Sequence, residues 1–156
     1  MDMIPISIQG FEDLKRELEA LKEERQVFVD SLMASRENGD MSENTAYDAA
    51  REQQAVLEAR INHIETRMPR LNVIDHTTLR GSKALFGATV TVEDIDGESR
   101  AYTLLGPDEA DFNKGSISVL SPVAKALLGK EVGDEVVVIA PKGRIEYEIT
   151  GIEFHA

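Results

Sequence analysis

The 156-residue sequence contains no cysteine and no tryptophan, and its aromatic residues are three tyrosines and five phenylalanines. Without cysteine, neither a disulfide framework nor a thiolate metal site can form. No apolar run approaches the roughly 20 residues of a membrane-spanning helix. The first residues have neither the basic nor the apolar part of a signal peptide. We therefore expect a soluble, cytoplasmic protein.

Positive charge is also scarce. The chain carries 17 Lys and Arg against 29 Asp and Glu, a net charge of −12. Both halves share the excess, with −7 over residues 1–78 and −5 over residues 79–156. An acidic surface gains nothing from releasing the counterions of a nucleic acid, and it disfavours anionic membranes. The composition predicts neither independent nucleic-acid binding nor membrane binding.

Two apolar stripes occupy the first half of the chain, and each advances by alternating steps of three and four residues. This is the 3.5-residue period of a coiled-coil seam. The seam positions of the two stripes can be paired from the outer ends inwards, 11 with 71 and so on to 35 with 47. The two residue numbers of every pair then sum to 82. This register predicts an antiparallel helical hairpin that folds back near position 41. The seam positions are Phe11, Leu14, Leu18, Leu21, Arg25, Phe28, Leu32 and Ser35, then Tyr47, Ala50, Gln54, Leu57, Ile61, Ile64, Met68 and Leu71.

The loop at the fold point carries two acids, Asp40 and Glu43. The helices are predicted from about residue 11 to 38 and from 42–44 to about 68, within a domain spanning residues 1–78. The seam from position 11 to position 35 would make a stalk about 36 Å long. The sequence therefore predicts two carboxylates in the loop that joins the helices of a long hairpin.

The hydrophobic period changes to two beyond Phe86, which predicts a second domain over residues 79–156. Strands are expected at 88–92, 99–105, 116–120, 135–139 and 144–154, with a tight turn at Asp96-Gly97. Ser121 and Pro122 are a good N-cap and first residue for a short helix that Gly129 closes. Residues 72–85 are expected to be a linker. The fold class is therefore α+β, a coiled-coil hairpin followed by a small, mostly antiparallel sheet with one helix.

The acidic loop has two explanations. An acid followed three residues later by Glu resembles a capping box at the start of the second helix, and acids suit the positive end of a helix dipole. Alternatively, Asp40 and Glu43 hold a Mg²⁺ ion weakly, because this ion usually takes one or two protein carboxylates and finds its other ligands elsewhere. Spacing alone leaves both explanations open.

The run from Glu37 to Gln54, ENGDMSENTAYDAAREQQ, resembles the tip signature of the bacterial Gre transcript cleavage factors, and more the GreA branch than the GreB branch. Segments at 86–92, 108–111, 117–119, 121–127 and 129–134 resemble that family's second domain. The resemblance implies an FKBP-like second domain that docks on RNA polymerase and a coiled coil that enters its secondary channel. The factor then stimulates Mg²⁺-dependent cleavage of backtracked nascent RNA at its 3′ end. It acts as an accessory to the polymerase and is not itself an enzyme.

The same resemblance implies roles for individual residues. Asp40 and Glu43 would share a Mg²⁺ ion with the polymerase site, with no cofactor bound tightly beforehand. Tip contacts would come from Ser42, Asn44 and Tyr47. Basic positions that face RNA would be Arg36 and Arg51, for which pairing along the helix is the plain alternative. Polymerase docking would fall to Ser121 and Pro122, whose capping role is compatible with it.

Two positions depart from the family pattern. Met41 stands where Leu is usual, a change of similar volume that a packed site tolerates. Leu120 stands before Ser121 where a polar Asn or Asp is common. The second change bears on the strength of docking.

Three other functions remain open from the sequence. The same architecture could inhibit polymerase from its channel, although the retained Asp and Glu argue against this. An FKBP-like domain could be a peptidyl-prolyl isomerase, which would need a pocket lined by aromatic side chains, with Tyr102 and Phe112 as candidates. The stalk could dimerise, but the internal pairing of its seam favours a monomer.

Overall fold

The computed structural model describes residues 3–37 and 44–155, and it describes the side chains of residues 3–33 and 48–155. The chain divides into two compact units. The first comprises Glu12–Leu71, and the second takes the residues up to Phe11 and those from Asn72 onward.

The first unit is an antiparallel pair of long helices. Helix α1 spans Ile8–Glu37 and helix α2 spans Asn44–Arg67. Helix α1 is rich in Glu and Leu and helix α2 in Ala, Arg and Glu, residues that favour helix, and neither contains proline. Ion pairs between the helices join early residues of α1 to late residues of α2, as an antiparallel register requires. These pairs are Glu17–Arg60 at 2.7 Å, Lys22–Glu65 at 3.3 Å and Arg25–Glu58 at 3.2 Å.

Burial along the two helices follows the predicted seam. Leu14, Ile61, Ile64 and Leu71 are buried, and every other predicted seam position whose side chain is described is partly buried. Most positions between them are exposed. Arg25, which interrupts the apolar seam, is partly buried and directs Nη1 to Glu58 at 3.2 Å. The coiled-coil hairpin expected from the 3.5-residue period is confirmed.

The second unit begins with a strand that the periodicity did not reveal. Strand β1, Ile4–Ser7, pairs with strand β2, Leu71–Ile74, in a small two-stranded sheet. After α2, Pro69 lies in a single 3₁₀ turn, Met68–Arg70, and leads directly into β2. The expectation of a linker over residues 72–85 is therefore wrong for its first residues, and Ala84 near its end is fully buried.

A five-stranded sheet forms the body of this unit. Its strands are β3 (Thr89–Asp94), β4 (Ser99–Leu105), β5 (Ser116–Ser118), β6 (Glu135–Ala140) and β7 (Gly143–Glu153). They are ordered β5-β4-β3-β7-β6, and all pairs are antiparallel except β4 with β5. Helix α3, Pro122–Leu127, packs on one face and buries Ala124 and Leu127 in the core. The predicted α+β class is confirmed. No helix in the described parts of the chain is long and apolar enough to cross a membrane.

The hairpin between β3 and β4 forms where the sequence predicts it. Gly97 adopts a φ of +83°, which the turn requires and glycine allows without steric cost. The Asp94 carboxylate accepts hydrogen bonds from the backbone N–H groups of Asp96 and Glu98, at 2.9 and 3.0 Å. Side chain and glycine together fix the register of the two strands.

The outer face of the sheet carries an acidic row, defined as Glu93, Glu148 and Glu135. These residues lie directly opposite one another on β3, β7 and β6. Like charges in register across neighbouring strands repel. The row therefore weakens the sheet slightly at this position.

We expect Ile64→Ala to lower the free energy of unfolding of the helical unit by about 3 kcal/mol, because Ile64 is only 1% exposed. Val56→Ala on the same helix is the control, since Val56 is 70% exposed and alanine favours helix. Circular dichroism at 222 nm during urea unfolding measures both. Equal effects of the two changes would contradict the observed seam.

Glu148→Thr should raise the free energy of unfolding by about 0.5 kcal/mol, because it removes two like-charge neighbours and adds a strand-favouring residue. Glu153→Thr is the matched control, since Glu153 lies on the same strand opposite Thr89. Thermal unfolding at low salt measures the difference. If Glu153→Thr raised the free energy of unfolding as much as Glu148→Thr does, the effect would be due to strand propensity alone.

Candidate functional site

The two helices of the hairpin bracket the acidic loop predicted from the sequence. Helix α1 ends at Glu37 and α2 begins at Asn44. The connecting segment, 38–43, contains Asp40, Ser42 and Glu43, which lie outside the described residues. The hairpin therefore joins its helices through the segment that contains both acids. How the two carboxylates are arranged stays a prediction.

The other predicted tip residues fall on the helices beside this segment. Arg36 lies in the last turn of α1, and Asn44 and Tyr47 lie in the first turn of α2. Arg51 is exposed on α2. Positions 44, 47 and 51 follow at intervals of three and four residues, so they lie along one side of α2. The fold thus places these predicted residues within two helical turns of the connecting segment.

The predicted docking residues form a rigid turn between β5 and α3. The Ser121 hydroxyl donates to the Ser118 carbonyl at 2.7 Å and accepts from the Ala124 N–H at 3.3 Å. Ser118 in turn accepts from the Leu120 N–H at 3.0 Å. Pro122, the first residue of α3, fits there because its missing N–H would have no partner within the helix. The predicted N-cap is therefore confirmed.

This turn presents an apolar surface. Leu120 is 54% exposed, and Pro122 beside it is exposed as well. Because three hydrogen bonds fix the backbone around it, Leu120 is held outward in a defined position. Any partner that contacts this turn meets an isobutyl group where a polar side chain would offer hydrogen bonds.

The described residues hold no group of three or more His, Asp or Glu side chains arranged to bind a metal ion. Asp40 and Glu43 lie outside the described residues. As oxygen donors they suit Mg²⁺, but two carboxylates leave most of its coordination positions to other ligands.

A cavity of about 500 Å³ opens beside β3, β6 and β7. Its lining includes one aromatic side chain, Tyr147, and several acids. Burial raises the pKa of the Tyr147 hydroxyl above its ordinary value, and a hydrogen bond with Tyr102 raises it further. Tyr102 is buried in the core and Phe112 is 70% exposed. This cavity does not offer the aromatic groove that a peptidyl-prolyl isomerase would need.

Comparison with known proteins identifies the family. Residues 4–73 match the family described as "Transcription elongation factor, N-terminal", and residues 79–154 match "Transcription elongation factor, GreA/GreB, C-term". The two matches together take in most of the chain, with one on each side of the predicted domain boundary. The chain therefore belongs to the GreA/GreB family of transcription elongation factors.

Individual relatives make the assignment more specific. Transcription elongation factor GreA of Nitratidesulfovibrio vulgaris (strain DP4) is 59% identical over 155 residues, which is 99% of this chain and 95% of that protein. GreA of Solidesulfovibrio magneticus is 60% identical over 156 residues, again covering 99% and 95%. The predicted likeness to the GreA branch is confirmed.

The crystal structure of Thermus aquaticus Gfh1 is 31% identical, covers 100% of both chains and gives a TM-score of 0.48.

We expect Ser121→Ala to lower the free energy of unfolding of the β-sheet unit by about 1 kcal/mol, because it removes the N-cap of α3. Ser121→Asp should retain most of the stability, since Asp caps a helix as well as Ser does. Denaturant unfolding followed by tyrosine fluorescence measures both variants. A loss as large in Ser121→Asp as in Ser121→Ala would contradict a capping role.

Proposed function

We propose that this protein inserts its coiled coil into the secondary channel of RNA polymerase and stimulates cleavage of backtracked nascent RNA. Arrested elongation complexes then resume synthesis from the new 3′ end. The protein acts as an accessory factor in the cytoplasm and completes a site whose catalytic centre belongs to the polymerase. This proposal extends the family assignment to a mechanism.

One observation carries the proposal, namely the antiparallel hairpin whose helices bracket residues 38–43. Helix α1 has 30 residues, so its axis is about 45 Å long. The pair is narrow, because the seam of each helix is filled by the other. A helix pair this long and narrow fits a channel, and the segment joining its helices carries Asp40 and Glu43.

The chemistry proposed for the two acids follows from their charge and number. Asp40 and Glu43 would help hold a Mg²⁺ ion at the polymerase active site, where such an ion activates water for attack on a phosphodiester and stabilises the leaving oxygen. Because two carboxylates bind this ion weakly, their contribution depends on ligands from the polymerase. The isolated protein therefore needs no tightly bound cofactor.

The residues next to the acids are assigned supporting roles. Ser42, Asn44 and Tyr47 would contact the polymerase around the tip. Arg36 and Arg51 would face the RNA, whose phosphates a guanidinium recognises well. With a net charge of −12, the protein is not expected to bind nucleic acid by itself, so the polymerase must present the RNA.

The β-sheet unit would provide the docking surface. We assign the contact with polymerase to the turn at Ser121 and Pro122, together with the exposed Leu120. Since the backbone of this turn is fixed by its own hydrogen bonds, binding costs little ordering entropy. The protein would act as a monomer, because each helix of the hairpin already satisfies the seam of the other. A sedimentation measurement checks this.

We expect Asp40→Ala and Glu43→Ala each to reduce RNA cleavage in backtracked complexes by about a hundredfold, the effect of removing one group that stabilises developing charge. The measurement is the rate of 3′ fragment release from stalled complexes with end-labelled RNA, at saturating factor and at several Mg²⁺ concentrations. Asp48→Ala is the control, because Asp48 is an exposed acid on α2 outside the connecting segment.

Cleavage at the rate of the unmodified protein after both acids are removed would refute the proposal. Cleavage suppressed below the polymerase's own rate by the unmodified protein would instead identify a channel-binding inhibitor. If Asp48→Ala reduced the cleavage rate as much as the tip variants do, the effect would come from the loss of any negative charge and not from the tip.

A further inference from the structure

The last strand of the five-stranded sheet has an unpaired edge. Strand β6 lies at the end of the order β5-β4-β3-β7-β6, and β7 is its only strand neighbour in the described structure. It has six residues, whereas β5 at the opposite edge has three. An edge of this length presents backbone N–H and C=O groups to which another extended chain can pair. Proteins usually block such an edge with lysine or proline, and β6, whose sequence is EVVVIA, contains neither.

The direction in which each β6 residue forms hydrogen bonds follows from its pairing with β7. The Asp134 carbonyl, just before the strand, accepts from the Ile149 N–H of β7 at 2.9 Å. Along an antiparallel strand, the backbone groups of successive residues point alternately to one side and the other. The even-numbered residues of β6 therefore point to β7, and the odd-numbered ones, Glu135, Val137 and Ile139, point to the open edge.

The same odd-numbered residues have their side chains on the outer face of the sheet. Val136 and Val138 are buried in the core, while Val137 is 43% exposed and Ile139 is 79% exposed. Two β-branched apolar side chains thus lie uncovered beside the open edge. A strand added here would place every second side chain on the same face, where it would pack against Val137 and Ile139.

The charge next to these apolar residues is negative. Glu135 is the β6 member of the acidic row, and Glu148 and Glu93 follow across β7 and β3. These three carboxylates and Glu146 line the cavity of about 500 Å³ beside the strands. The basic residue of its described lining, Arg144, is paired with Glu146 at 3.3 Å. The cavity therefore carries an excess of negative charge, which is complementary to a basic side chain.

We propose that β6 binds an extended, positively charged segment of a partner protein as a sixth strand of the sheet. The backbone of this segment would pair with Glu135, Val137 and Ile139, the mode of recognition called β-augmentation. In the antiparallel direction, its side chains would be apolar opposite Ile139, apolar opposite Val137 and basic opposite Glu135. A second copy of the chain is a poorer occupant, because it carries the same net charge of −12. The proposal does not depend on the proposed function in RNA cleavage.

A synthetic peptide tests the proposal with the full-length protein. The probe is an end-blocked Thr-Val-Thr-Val-Thr-Arg-Thr peptide, which places Val, Val and Arg opposite Ile139, Val137 and Glu135. Amide hydrogen exchange is measured by NMR on the isotope-labelled protein. We expect the peptide to slow exchange at Val137 and Ile139 and to leave Val138, whose N–H points to β7, unchanged. No slowing at a millimolar peptide concentration would overturn the proposal.

Methylation of the peptide nitrogens separates strand pairing from simple charge attraction. Methyl groups on the Val and Arg nitrogens replace the N–H groups that would face β6, and we expect binding to be lost. The same number of methyl groups on the intervening Thr nitrogens, which would face away from β6, should preserve binding and is the matched control. Equal binding by the two methylated peptides would overturn the paired strand.

An exchange of charges tests the position of the basic residue. Glu135→Lys should weaken binding of the Arg peptide at least about tenfold, because like charges then face each other. A peptide with Glu in place of Arg should bind this variant more tightly than the Arg peptide does. Glu153→Lys makes the same change of net charge on β7, opposite Thr89, and is the control. Equal weakening by the two variants would contradict the proposed register.

A proline at the open edge tests the backbone contact from the side of the protein. Val137→Pro removes an N–H that points to the open edge and none that points to β7, a position at which an edge strand tolerates proline. We expect this variant to remain folded in thermal unfolding and to lose peptide binding. Unchanged binding would overturn the proposal. A dimer of the unmodified protein in sedimentation that Val137→Pro converts to a monomer would identify a second copy as the occupant and would also overturn it.

Discussion

The antiparallel seam between α1 and α2 is the constraint on which the rest of the structure depends. Its 3.5-residue period permits one register, and ion pairs such as Glu17–Arg60 lie beside it. Because each helix fills the seam of the other, α1 and α2 run in opposite directions on either side of residues 38–43. After α2 the chain enters β2, which pairs with β1. The place of the acidic segment between the two helices therefore follows from one packing pattern.

Much of the fold could be predicted because the sequence signals that determine it are local. The helix bounds came within a few residues, since Leu, Ile and Met recur along the seam and Gly39 interrupts the pattern. Gly97 marked a hairpin because few other residues adopt its φ. Ser121 and Pro122 marked a helix start because cap and first-turn preferences act over neighbouring residues. In each case the decisive interaction lies within a few positions along the chain.

The features that escaped prediction depend on partners far apart in sequence. Strands β1 and β2 have four residues each, too few to show a reliable hydrophobic period. They pair with each other, although the whole helical hairpin separates them in the sequence. The hydrogen bond from the Ser7 N–H to the Glu109 carboxylate, at 2.7 Å, likewise has no local pattern, because the two residues are 102 positions apart. The parallel pairing of β4 with β5 depends on the path of an irregular loop. Residues 38–43 carry the predicted acids, and their arrangement rests on sequence reasoning alone.

The acidic row on β3, β7 and β6 has a consequence for the proposed action on a transcribing complex. Polyanions are repelled by a sheet surface on which Glu93, Glu148 and Glu135 lie side by side, whereas the turn at Leu120 is apolar. Transcribing complexes are surrounded by phosphate backbones, to which a basic or neutral sheet could adhere in many unproductive orientations. The row disfavours such adhesion where its three carboxylates lie, at a small cost in folding free energy. Under the proposed function, selectivity for the turn at Leu120 would thus come partly from a second surface that repels nucleic acid.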